Sequence, residues 1–105
     1  MLAKIASMNR KHRQTLAAIF AKPTRANIAF SDIEALLLAL GCELTEGAGS
    51  RVRFDKTLVE KDQDGNVINT HALAFLAHRP HPGKEAKRYQ VEQARQYLQA
   101  IGEAP

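Results

Sequence analysis

The sequence predicts an α+β domain, with helices gathered at both ends of a block of three antiparallel strands, and three observations predict it. Two early stretches, 10–22 and 31–41, repeat apolar residues at helical spacing. Two compact turns, Gly47-Ala48-Gly49-Ser50 and Asp62-Gln63-Asp64-Gly65-Asn66, then cut the middle of the chain into strands. Helical spacing returns after residue 85. Helices segregated from a run of hairpin-connected strands make an α+β arrangement rather than an alternating one. The 105 residues fit a single domain, 1–105, with one core and little stability to spare.

The elements follow in order. The apolar start, Met1 to Met8, is interrupted by Lys4 and is too short for a signal-peptide core. We therefore expect 1–9 to be a flexible extension. From Arg10 to Lys22 the residues Leu16, Ile19 and Phe20 fall on one helical face, with Lys11, Arg13 and Gln14 on another. Pro23 stops this helix, and 23–30 is a connector without a period. In Ser31-Asp32-Ile33-Glu34 the serine is expected as N-cap and Glu34 as its capping-box partner. Ile33, Leu36, Leu37 and Leu40 form the buried face, and Gly41 closes the helix.

Strands are expected at Cys42–Glu46, Arg51–Glu60 and Val67–His78. The tip Asp62–Asn66 does not fit a calcium loop, since its glycine comes too soon after the first acid and the closing glutamate is absent. It reads as a hairpin turn. The loop Arg79–Glu85 leads to a last helix from about Ala86 to Ile101, with Val91, Ala94, Leu98 and Ile101 inward and Gly102 as its stop. The lone cysteine, Cys42, excludes an internal disulfide and a cysteine-rich zinc site, and reads as a small buried residue. No segment is long enough to span a bilayer, so a cytoplasmic location is expected.

The formal charge is +4, and its distribution is uneven. Residues 1–30 carry six Lys or Arg and no acid, whereas 31–50 carry four acids and no base. From Val67 to Arg95 there are five bases against two acids. Clustered positive charge suits a polyanion or an acidic partner.

Strand parity sorts the polar residues onto faces. Val52, Phe54 and Leu58 share one face with Leu73, Phe75 and Ala77, which must meet the helices. Arg51, Arg53 and Asp55 then share the open face with Leu76 and His78. His71 falls in phase with Phe75 and is expected as a packed or edge histidine.

The open face is chemically usable. Guanidinium groups bind phosphate bidentately and stay charged. An imidazole, with an unperturbed pKa near ~6.5, can carry a proton at neutral pH. Metal-free RNA cleavage needs a base, an acid and a cation for the phosphorane charge. His78 and His81 are the candidate proton carriers and Arg51 the cation. Arg51, Arg53, Arg79, Lys84, Lys87 and Arg88 are the candidate RNA contacts. His78-x-x-His81 has no nearby cysteine or clear acid to complete a metal site, so neither a metal nor another cofactor is expected.

Ser31-Asp32-Ile33-Glu34, Gly49-Ser50 and His81-Pro82-Gly83-Lys84, in this order and spacing, resemble the HicA family of small bacterial messenger-RNA-cleaving toxins, which are paired with HicB antitoxins. The resemblance covers roughly 31–102 and makes 10–30 an additional helix and connector. It implies an α-β-β-β-α core like that of double-stranded-RNA-binding domains. It further implies RNA cleavage blocked by a HicB-like antitoxin. The free protein is expected to be a monomer. The family usually has a histidine, held to be catalytic, after Gly-Ser; this chain has Arg51 there. Three readings stand open: a metal-independent endoribonuclease (mRNA interferase), a non-catalytic RNA-binding module, and a protein-docking domain with a basic face.

Overall fold

The computed structural model describes residues 8–105. Its elements are α1 (Arg10–Phe20), α2 (Phe30–Ala39), β1 (Glu43–Glu46), β2 (Arg51–Lys61), β3 (Val67–His78) and α3 (Arg88–Ala100). The expected extension 1–9 lies almost wholly outside the described residues, and Asn9 caps α1 by accepting from the His12 N–H at 2.8 Å.

The fold is α+β, with one helix ahead of an α-β-β-β-α core of the kind seen in double-stranded-RNA-binding domains. The antiparallel sheet has the order β1-β2-β3, so β2 is central. Val52, Phe54 and Phe75 are buried on one face, against Leu36, Leu37, Val91 and Leu98 from the helices. Phe75 links Phe54, at a ring distance of 6.1 Å, to Tyr97 at 5.5 Å. The parity assignment therefore holds, with Leu58, Leu73 and Ala77 half-buried at the margin. His71 is exposed on the edge strand, not packed, because β2 and β3 run on past the helices there. Beyond residue 56 that hairpin buries nothing fully as far as residue 74, and the molecule measures 50 × 31 × 22 Å.

The first helix belongs to the core. Leu16 and Ile19 are almost fully buried in it, a burial that stabilises by about 3–6 kcal/mol in all. Arg95 of α3 donates to the Ile19 carbonyl (2.9 Å) and to Thr24 Oγ1 (3.0 Å), fixing the end of α1 and the connector. The helix stops at Phe20 rather than Lys22, since Ala21 is already extended two residues before Pro23.

The start of α2 also differs from expectation. Its N-cap is Ala29, without a side-chain bond, and Ser31 is exposed within the first turn. Placing Phe30 inside the helix buries its ring, while Glu34 is drawn away to Arg79. The C-terminus does follow the glycine rule. Gly41, at φ 92°, lets its own N–H reach Leu38 and that of Cys42 reach Leu37, both at 3.0 Å. β1 begins one residue late, after this cap. Cys42 is buried, and its desolvation pushes the thiol pKa up.

The last helix starts at Arg88 rather than Ala86 because residues 84–86 run extended beside 28–30. Phe30 N–H donates to Lys84 O at 2.9 Å and Ala86 N–H to Ile28 O at 2.8 Å. The loop after β3 is thus held at both ends. At the β2–β3 tip, Asp62 accepts from the N–H groups of Asp64 and Asn66, both at 2.9 Å, which holds its carboxyl below the usual range, the Asn66 bond contributing most. Among the described residues, no helix is long and apolar enough to cross a membrane.

Candidate nucleic-acid interface

Arg51 opens β2 and His78 closes β3, and the register sets them directly opposite each other. Arg79 N–H donates to Ser50 O at 2.8 Å, which makes the neighbouring Ser50–Arg79 pair a hydrogen-bonded one. Arg51 turns its own carbonyl the other way, to the Gly47 N–H at 2.9 Å. Arg51 and His78 are accordingly a non-hydrogen-bonded pair, the type in which opposed Cα atoms approach to about 4.5 Å and side chains lie closest. Both are exposed on the open face, and with Val52, Leu76 and Ala77 they line a cavity of about 290 Å³ at this end of the sheet.

Two neighbours that were not among the candidate site residues shape this end of the sheet. Ser50 Oγ lies 3.5 Å from His78 Nδ1, a long contact whose direction depends on the tautomer. Gln90, only 3% exposed, donates from Nε2 to the His78 carbonyl (2.8 Å) and accepts from the Lys87 N–H at Oε1 (3.0 Å). The available signal was a glutamine three residues into a helix start, the spacing at which a side chain reaches back to the cap.

The remaining predicted contacts divide by whether their charge is already engaged. Arg79 is not on the open face. It holds Glu34 through two bonds, of 2.7 and 3.1 Å, and lies 3.3 Å from Glu46. The Glu34 bonds foremost raise its pKa further above the arginine range. Arg53 lies on the open face but pairs with Asp55 at 3.0 Å. Arg51, Lys84, Lys87 and Arg88 are exposed and have no ion-pair partner among the described residues. His81 is exposed in the loop between β3 and α3, and no hydrogen bond joins it to the Arg51–His78 pair. No group of three or more His, Cys, Asp or Glu side chains is placed to hold a metal among the described residues.

The HicA toxin model of bacterial toxin–antitoxin systems matches residues 30–102. The chain belongs to the HicA toxin family. The match begins with α2 and ends at the glycine that stops α3, so α1 and its connector lie ahead of the HicA region. Neither a curated relative nor a solved structure matched the chain. Within the HicA region, Arg51 occupies the position after Gly49-Ser50, and His78 faces it from the next strand.

Proposed function

We propose that this HicA toxin binds messenger RNA on the open face of its sheet and cleaves it without a metal ion, under the control of a HicB-like antitoxin. The observation that carries the reading is the cross-strand pair of Arg51 and His78, a fixed cation beside an imidazole on an exposed surface. In this reading Arg51 holds the scissile phosphate and offsets charge as the phosphorane forms. His78 removes the proton from the attacking 2′-hydroxyl, or returns one to the leaving oxygen. Lys84, Lys87 and Arg88 extend the phosphate track past the end of the strand, and His81 in the loop among them is the second proton carrier.

The test is a gel assay of the purified protein with a long single-stranded RNA, with and without EDTA. Cleavage should resist EDTA and be lost in His78→Ala or His81→Ala while RNA binding persists. Intact RNA across the whole enzyme titration would overturn the nuclease reading. A salt-sensitive shift in the same gel would then select a non-catalytic RNA-binding module.

A further inference from the structure

The two edges of the sheet are built differently. β1 is four residues long and carries Glu43 and Glu46, the short and charged form that discourages pairing. β3 is the opposite: twelve residues, Val67–His78, without one Asp, Glu, Lys, Arg or Pro. It also exposes Val67, Ile68 and Leu76, each by more than half.

The hydrogen-bond pattern shows where that edge is open. Since Ser50–Arg79 is a hydrogen-bonded pair, the backbone groups of His78, Leu76, Ala74, Ala72 and Thr70 point away from β2. At each end of this row a side chain takes one backbone group. Gln90 occupies the His78 carbonyl, and Asn69 Oδ1 accepts the Thr70 N–H at 2.9 Å. Between them the N–H and C=O groups of Ala72, Ala74 and Leu76 have no partner among the described residues. Beside this stretch runs an open groove of about 420 Å³, floored by Leu73 and Phe75 and walled by Gln93, Gln96, Tyr97 and Ala100 of α3.

We propose that this edge is an interface between two copies of the chain, with β3 pairing antiparallel to its counterpart about Ala74. The sequence Ala72-Leu73-Ala74-Phe75-Leu76 suits a two-fold axis at its centre. Ala74 faces Ala74 of the second copy, Ala72 faces Leu76, and Leu73 faces Phe75 across the helix side. The pairs at Ala72, Ala74 and Leu76 then satisfy the outward backbone groups of these three residues. A strand with no charge meets no like charge when paired with itself, so the net +4 of the chain does not oppose this contact locally. An axis normal to the sheet keeps both open faces on the same side. The two sheets become one of six strands, and the expected free monomer gives way to a dimer.

The test is mass in solution, with no RNA present, so its result is independent of the nuclease reading. Light scattering from the full chain, from micromolar to millimolar concentration, should show a mass rising to twice 11.6 kDa. Ala74→Pro removes an outward N–H at the dyad, a position where an edge strand tolerates proline, and should hold the mass at 11.6 kDa with an unchanged circular dichroism spectrum. Ala72→Pro does the same one pair away and carries the test if Ala74→Pro does not fold. A wild-type monomer at every concentration would overturn the proposal, as would a dimer that survives in either folded variant.

Discussion

Replacing Gln90 with leucine tests the contact that joins α3 to the end of β3. The side chain is 3% exposed and makes two bonds, to the His78 carbonyl at 2.8 Å and from the Lys87 N–H at 3.0 Å. Leucine is of similar volume, so packing changes little. Both bonds lie in partly buried places, so leucine leaves the Lys87 N–H without its acceptor and the His78 carbonyl without its donor. The net cost should be about 2 kcal/mol. For a domain of this size that lowers the thermal midpoint by roughly 8–16 °C, read by circular dichroism. Gln90→Glu separates bonding from packing. A neutral carboxyl can donate to the His78 carbonyl, whereas a carboxylate cannot, so burial against that oxygen should raise the pKa of the new group. Its contribution is then fully present below the unfolded value, near ~4.3, and is lost as the pH rises through the folded one. Compared with wild type at each pH, the glutamate variant should be least impaired at pH 4 and most at pH 8. Wild-type stability in the leucine variant, or a glutamate variant indifferent to pH, would refute the argument.

Three further outcomes are expected. Glu34→Gln leaves the Arg79 guanidinium without its two-bond partner, and urea titration should show a loss of about 1 kcal/mol that shrinks with added salt. Gly41→Ala forces a side chain into a φ of 92° and puts its Cβ 2.9 Å from Lys56 Nζ, which caps the Leu40 carbonyl. A loss of about 1–2 kcal/mol should appear by the same titration. Burial raises the pKa of Tyr97 and, separately, that of Cys42, so both favour the folded state while neutral. Stability from these groups is whole below their unfolded values, near ~10 for the tyrosine and ~8.5 for the cysteine, and denaturation curves should show it falling as the pH climbs past them.

What the sequence made legible was whatever a local rule controls. Strand parity placed Arg51, Arg53 and His78 on one face, because a two-residue period leaves no third choice once Val52 and Phe54 must be buried. Gly41 and Gly102 marked helix ends because a left-handed residue was needed at each. Failures occurred where a distant group outbid a local one. Ser31 and Glu34 spell a capping box, yet Glu34 is taken by Arg79, 45 residues away, and Phe30 enters the helix to bury its ring. Arg79 was read as a free cation for the same reason, since nothing near it in sequence announces Glu34 or Glu46. The last helix starts two residues later than its period suggests because 84–86 lie against 28–30, a pairing that no helical period records.

The division between free and engaged cations can itself be measured. Binding to single-stranded RNA releases counterions, and each phosphate contact contributes about 0.7 to the slope of log affinity against log salt. Arg51 has no carboxylate partner among the described residues, so under the proposed reading Arg51→Ala should make that slope shallower by about 0.7. Arg79 is of the same type and lies one residue beyond His78, but its charge is met by Glu34 and Glu46. Arg79→Ala should therefore leave the slope unchanged even where it lowers affinity, because no phosphate is given up. Both variants can be titrated by fluorescence anisotropy with one RNA across a salt series. Equal losses of slope would mean that RNA pulls Arg79 away from its carboxylates. No loss in either would remove the open face near Arg51 from the RNA path, and the phosphate track would have to be sought among Lys84, Lys87 and Arg88 alone.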